Sequence, residues 1–282
     1  MFKWTLVRLV FLFVVLMAVD VACQVAPQFL HLPWLLPKSG AFAMARGLGL
    51  GLAMIIAYRL LVRWTEGRKA DELGQRGAVS LTLLGIVLGG AMFALVFALL
   101  AYRNLAHLGA FLGTDGVWVA IGGAIADAVG EEIVIRGVVF RLLEESFGTL
   151  IGLFVSGALF GLLHSFNHGA SVLSDVAIAL EAGIFLAAGY AATRSLWFPI
   201  GLHFGWNFTE GGVFGAAVSG GAHQGLYAST FTGDALWSGG AFGPEASVIA
   251  VGVSLVASAV FLGIAIARGN WVGVRFRMRS GE

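Results

Sequence analysis

Thiol chemistry in this chain rests on one cysteine, Cys23. A single cysteine excludes an intrachain disulfide framework and a thiolate metal cluster, and its expected role is that of a small packed residue. Charge is also scarce. Only 12% of residues are Asp, Glu, Lys or Arg, against about 25% in ordinary soluble domains. The two signs nearly cancel at a net charge of +1, so no global field attracts nucleic acid or an acidic substrate. Proline is rare, with 5 residues against 41 glycines, a balance that suits close helix packing in lipid better than disorder. No stretch is polar enough and long enough to form a separate soluble domain, and no internal repeat stands out.

Apolar residues are what the chain does have. They make up 59% of it, and the mean hydropathy is +0.90. Eight stretches reach about 20 residues, the length that crosses a ~30 Å hydrocarbon core. They cover approximately 4–24, 40–62, 79–101, 117–141, 149–167, 171–192, 196–218 and 246–267. The expected fold is all-α: one integral-membrane domain over 1–282, a polytopic bundle of about eight transmembrane helices around a buried polar site. Residues 1–24 resemble a signal peptide in their leading Lys3 and Arg8, but Asp20 interrupts the end and no clean cleavage site follows. An uncleaved first helix is expected.

Charge placement gives an orientation. If eight helices alternate, one side collects Lys3, Arg8, Arg59, Arg63, Arg68, Lys69, Arg76, Arg141, Arg194, Arg268, Arg275, Arg277 and Arg279. The other keeps Lys38, Arg46 and Arg103. The positive-inside rule then places both termini in the cytoplasm. The connection 219–245 has no Lys or Arg, as an exported loop should. It is long and glycine-rich, and reads either as a connector or as a lid or re-entrant segment near the site.

Three apolar spans carry ionisable groups that lipid should not face. An intramembrane charge costs roughly 2.5–3.5 kcal/mol on insertion scales, and marks a site by default. In the fourth span, Glu132 and Arg136 are four residues apart, acid first, the favourable order for a helical ion pair. That pair is assigned a structural role. Glu131 is turned about 100° away and lacks that partner, with Asp127 one turn before it. A general base at Glu131 and a packing network of all three acids both fit this span. The fifth span ends in Phe160-x-x-x-His164, with His168 four residues on. His164 alone reads as a packed histidine bonded to a carbonyl. His164 and His168 are also spaced as a pair of metal ligands, although Gly169 and Ser171 place His168 in the exit loop. The seventh span carries His203, Asn207 and Glu210 on one face. His203 and Asn207 together supply two donors for an oxyanion, or else an interhelical polar contact. Glu210 closes that polar stripe, and Glu181 in the sixth span has no assigned role. From one membrane edge, helical rise puts His203 at ~11 Å, Glu131 at ~15 Å, Asn207 at ~17 Å and His164 at ~23 Å. His164 is the outlier in depth.

Glu131-Glu132-x-x-x-Arg136, Phe160-x-x-x-His164 and His203-x-x-x-Asn207, in this order on successive spans, resemble the motifs of the CPBP (Abi) intramembrane proteases. That family includes the type II CAAX prenyl endopeptidases. The resemblance covers about 117–210. It implies an eight-helix bundle with Glu131 and His164 holding and activating a water, and His203 and Asn207 stabilising the tetrahedral intermediate. Glu132, Arg136, Phe160 and Asp127 are then supporting residues. It implies hydrolysis of peptide bonds in membrane-associated proteins or peptides, some of them lipid-modified, with membrane lipids as the surroundings and no nucleic acid. The expected location is a bacterial inner (cell) membrane. No cofactor is needed in the favoured reading. The alternative holds a zinc ion on Glu131, His164 and His203 with an open position for water. A non-catalytic membrane scaffold and a transporter remain as different classes, although no pair of Gly/Pro-broken helices sits at matching places in two halves.

Overall fold

The computed structural model describes residues 2–29, 40–222 and 225–274, and in the first helix it describes side chains from Thr5 to Cys23. Among these residues the chain is almost entirely helical. The helices are α1 (Phe2–Phe29), α2 (Gly40–Glu66) and α3 (Ala78–Tyr102), followed by α4, which runs unbroken through Asp115–Glu132, Ile133–Phe140 and Arg141–Phe147. Next come α5 (Thr149–Leu163) and α6, built from Val172–Ile178, Ala179–Ile184 and Phe185–Thr193. The last two are α7 (Trp197–Asn207 continued by Phe208–Val213) and α8 (Val248–Ala267). A two-residue antiparallel pair, β1 (Ala106–His107) with β2 (Thr230–Phe231), ties two loops together at one end.

Six of these stretches are long and apolar enough to cross a membrane. The expected count of eight is not reached by that measure. The two that miss it are α4, which carries Asp115, Asp127, Glu131 and Glu132 in its first segment, and α7, whose helix ends at Val213. The expected seventh span ran to 218, but Phe214 closes the helix and 216–218 already belong to the loop. These two helices lie at the centre of the bundle, where charge is shielded by protein. Most of the lipid-like surface is on the others: Leu6, Val10 and Val14 on α1, Leu48, Leu52 and Ile56 on α2, Val87 on α3, Phe154 on α5 and Val256 on α8 are all exposed, while α4 adds Trp118 and Val119 near its start.

Small residues allow the central contacts. A Cβ at Gly205 on α7 would lie 2.3 Å from the Ile86 carbonyl oxygen of α3, and one at Gly89 would lie 2.1 Å from that of Leu202. The backbones therefore touch, and a larger residue must push the helices apart. Cys23 is half-buried against the main core, as a packed residue.

One end of the bundle is laced by ions. Arg141 reaches Glu66 at 2.6 Å and Glu145 at 2.8 Å, Arg68 reaches Glu66 at 2.7 Å and Glu72 at 2.8 Å, and Arg8 approaches Glu66 at 4.0 Å. Arg194 pairs with Glu144, and Arg268 donates to the Ala192 carbonyl. Of the basic residues expected on one side, Arg8, Arg68, Arg141, Arg194 and Arg268 take part in these contacts. Lys38, Arg275, Arg277 and Arg279, and the side chain of Lys3, lie outside the described residues. Burial alone would raise the carboxyl of Glu72, in the loop after α2. Hydrogen bonds from Arg68 and Tyr58 and the Arg141 charge outweigh it and hold the group below its ordinary value.

Gly205→Val is expected to lower thermal stability in detergent sharply, at the upper end of the ~1–3 kcal/mol usual for overpacking. Gly252→Ala, with nothing within 4 Å of its Cβ, is expected to leave it unchanged. Because the folded pKa of Glu72 is depressed, its stabilisation is complete above the ordinary carboxylate value of about 4.3 and is lost as pH falls through the folded value. The melting temperature of Glu72→Gln is therefore expected to fall less than that of wild type on acidification below about pH 5.

Candidate active site

Position 132 is where the site is anchored. Glu132 and Arg136 are both fully buried, and Arg136 Nη1 donates to Glu132 Oε1 at 2.7 Å. Helical spacing brings the two together, as expected. A second guanidinium nitrogen, Nη2, is met by α6. Its middle segment, Ala179–Ile184, is π-helical, and Arg136 Nη2 reaches the carbonyls of Ala182 and Gly183 at 2.7 and 3.2 Å. Such one-turn widenings are frequent at functional sites. The flat face of the guanidinium lies 4.6 Å from the centre of the Phe160 ring, a cation–π contact in a dry setting.

Glu132 has a second task that the spacing of residues did not reveal. His203 Nδ1 lies 3.0 Å from the same Oε1. A carboxylate only accepts, so Nδ1 carries the proton and Nε2 is left facing the cavity. Nε2 is 4.0 Å from Glu131 Oε2. Sequence spacing links residues on one helix; the Glu132–His203 contact joins helices 71 residues apart, and no pattern within α4 or α7 announces it.

His164 follows the last residue of α5 and begins a 3-10 turn, His164–Phe166. The helix therefore ends before His168, which is exposed in the loop and does not share a helical face with His164. The Nδ1–H of His164 donates back to the Phe160 carbonyl at 2.8 Å. That bond folds the ring over the last turn, with its centre 4.6 Å from Phe160. It also accounts for the depth mismatch: the ring returns toward the mid-bundle from a residue placed at the helix end. Phe160 stands between the two imidazoles, with His203 edge-on at 6.4 Å.

A cavity of about 440 Å³ opens among these groups. Glu131, Asp127, His164, His203 and Asn207 line it, and Asn167, His168 and the segment Val218–Gly221 complete the wall. The four candidate site residues thus share one hollow. A second cavity of about 270 Å³ meets it at Asp127, Glu131 and His164, and continues between α1, α2 and α5 past Met17, Leu50 and Leu163. Glu131 and Asp127 open to this space, whereas Glu132 is closed off. Glu181 and Glu245 lie behind the imidazoles, around a void of about 20 Å³ that Asn207 also lines. Glu210, buried one turn beyond Asn207, accepts from the backbone N–H of Glu245 at 3.3 Å. Ser219–Gly221 and Glu245, from the two ends of the loop 219–245, therefore pack at the site.

The zinc alternative needs Glu131, His164 and His203 as a converging ligand set. Among the described residues no three His, Cys, Asp or Glu side chains converge closely enough to hold a metal ion, so no step is routed through one.

Residues 112–209 match the family model described as type II CAAX prenyl endopeptidase Rce1-like. The segment that builds the site is similar to that family. Every residue of the three motifs, from Glu131 to Asn207, falls inside it. The Rce1-like segment spans α4 to α7, while α1, α2, α3, α8 and the loop 219–245 lie outside. No curated protein and no solved structure matches the chain.

Glu132→Gln is expected to reduce folded yield and stability by about 3–5 kcal/mol, the usual effect of stranding one member of a buried ion pair. Glu131→Gln, whose carboxylate opens to the cavity, is expected to melt close to wild type. Thermal unfolding of both in one detergent checks this, and equal losses would contradict the division of roles.

Proposed function

We propose that the protein is an intramembrane endopeptidase of the CAAX-protease kind, cleaving membrane-associated proteins or peptides with a water activated by Glu131. The observation that carries this reading is the meeting of Glu131, His164, His203 and Asn207 at one cavity inside a bundle of apolar helices. The Rce1-like match supports the reaction class.

The proposed path begins with water between Glu131 and His164. The Nδ1–H of His164 is committed to Phe160, so Nε2 is an acceptor and orients the water through one of its protons. Glu131 removes the other proton as the oxygen attacks the scissile carbonyl, and later delivers it to the leaving amine. The carbonyl oxygen becomes negative. The side-chain amide of Asn207 donates to it, and His203 does so from Nε2 when the ring carries both protons. Glu132 lies 3.0 Å from the other ring nitrogen, and Arg136 holds Glu132 in place.

The substrate class is membrane proteins or peptides, including lipid-modified ones. The second cavity, running between α1, α2 and α5, sets the apolar side chains of Met17, Leu50 and Leu163 beside Asp20 and Arg46, and offers a route for a substrate chain with both apolar and polar groups. The ion-laced face that collects Arg8, Arg68, Arg141, Arg194 and Arg268 is taken as the cytoplasmic one, with both termini there, and the membrane as a bacterial inner membrane.

Glu131→Gln is expected to lower turnover of a cleaved membrane peptide by at least about 10²-fold, the contribution usual for proton transfer. Asn207→Ala is expected to lower it by about 10²–10³-fold. Cleavage assays in detergent with purified full-length protein check both. Near-wild-type turnover in Glu131→Gln would remove the proposed base.

A further inference from the structure

Outside the Rce1-like segment, one piece of chain forms part of the cavity wall. Val218–Gly221 faces Glu131, His164, His203 and Asn207 across the 440 Å³ hollow. A loop in that position needs to be held, and the holding group is Glu245. This side chain is 3% exposed. Its Oε1 accepts two hydrogen bonds from Ser219, from the backbone N–H at 2.6 Å and from the hydroxyl at 2.8 Å. The next residue is fastened as well: the Gly220 N–H donates to the Phe242 carbonyl at 2.7 Å. On its other side the turn is pressed against the His168 carbonyl. A Cβ at Gly220 would lie 2.0 Å from that oxygen, and its φ of +79° is itself one that suits glycine. Val218 and Gly221 close the turn on each other.

Glu245 is fixed in turn. Its backbone N–H donates to Glu210 Oε1 at 3.3 Å, and Glu210 sits three residues beyond Asn207 on α7. The chain of contacts runs from α7 through Glu210 and Glu245 to Ser219 and the cavity. The geometry points to Glu245 as a positioning residue of the site: through Ser219 it sets the place of the Val218–Gly221 wall, and so the width of the space that the peptide chain enters. Glu245 itself touches no reacting atom. This inference rests on the protease reading for what fills the space, and on the hydrogen bonds alone for the clamp.

A structural glutamate and a positioning one separate on binding. Both contacts from Ser219 end on one acceptor oxygen, which an amide also supplies. Glu245→Gln is therefore expected to behave as wild type, and Glu245→Ala is not. Full-length wild type, Glu245→Ala, Glu245→Gln and Ser219→Ala are compared by hydrogen exchange and by cleavage of a quenched apolar peptide that wild type cuts. In Glu245→Ala, amides of 218–221 are expected to exchange at least about tenfold faster, with those of α4 and α7 unchanged. KM is expected to rise at least about fivefold with kcat within about threefold of wild type. Ser219→Ala, which keeps the backbone donor, is expected to shift KM in the same direction by less. Unchanged exchange at 218–221 would overturn the clamp. A fall in kcat with KM unchanged, or a Gln variant as impaired as Ala, would overturn the positioning role. Wild type that cleaves no peptide would remove the protease reading, while faster exchange in Glu245→Ala would still support the clamp.

Discussion

A guanidinium and a carboxylate sealed from both lipid and water set the terms for the rest of this structure. Arg136 and Glu132 have no exposed surface. Neither charge is tolerable alone in such a place, because desolvation of an unpaired ion costs several kcal/mol. Their mutual contact leaves donors over, and those donors recruit the backbone of α6 and the ring of Phe160. The carboxylate, held by Arg136, can in turn hold His203. Three helices and one imidazole are thus fixed by a single buried pair. Glu131 faces the cavity, while its neighbour in sequence, about 100° round the helix, is committed to Arg136 and to the other nitrogen of His203.

The π-helical segments belong to the same account. They occupy Ile133–Phe140 directly after the Glu131–Glu132 doublet, Ala179–Ile184 around Glu181, and Phe208–Val213 directly after Asn207. Each widens a helix beside a polar group that must be aimed or satisfied. In α6 the purpose is visible, since the carbonyls that meet Arg136 lie in that segment. In α7 the segment carries Glu210 toward Glu245, and so connects the site to the loop that forms part of its wall.

Much of this was legible in the chain, and the reason is chemical. Charge is so costly in lipid that Glu131, Glu132, Arg136, His164, His203 and Asn207 stand out without any knowledge of the fold. Ion-pair spacing correctly joined Glu132 to Arg136, and the exit loop correctly claimed His168. The legible interactions were local ones. The contact of Glu132 with His203 and the folding of His164 onto the Phe160 carbonyl depend on tertiary placement, which no periodicity encodes. Glu181, Glu210 and Glu245 were opaque for the same reason: their meaning lies in which other buried groups they face. The number of spans was legible only in part, because α4 is too charged and α7 too short to resemble lipid-facing helices. Those are the helices that the others shield.

The central claim is that Glu132 and Arg136 act as one unit, and a double-mutant cycle tests it most directly. Glu132→Gln and Arg136→Gln are made singly and together, and unfolding free energies are measured in one detergent. The account predicts that each single change costs about 3–5 kcal/mol and that the double variant loses far less than their sum, since no unpaired charge is left. Additive losses would contradict it.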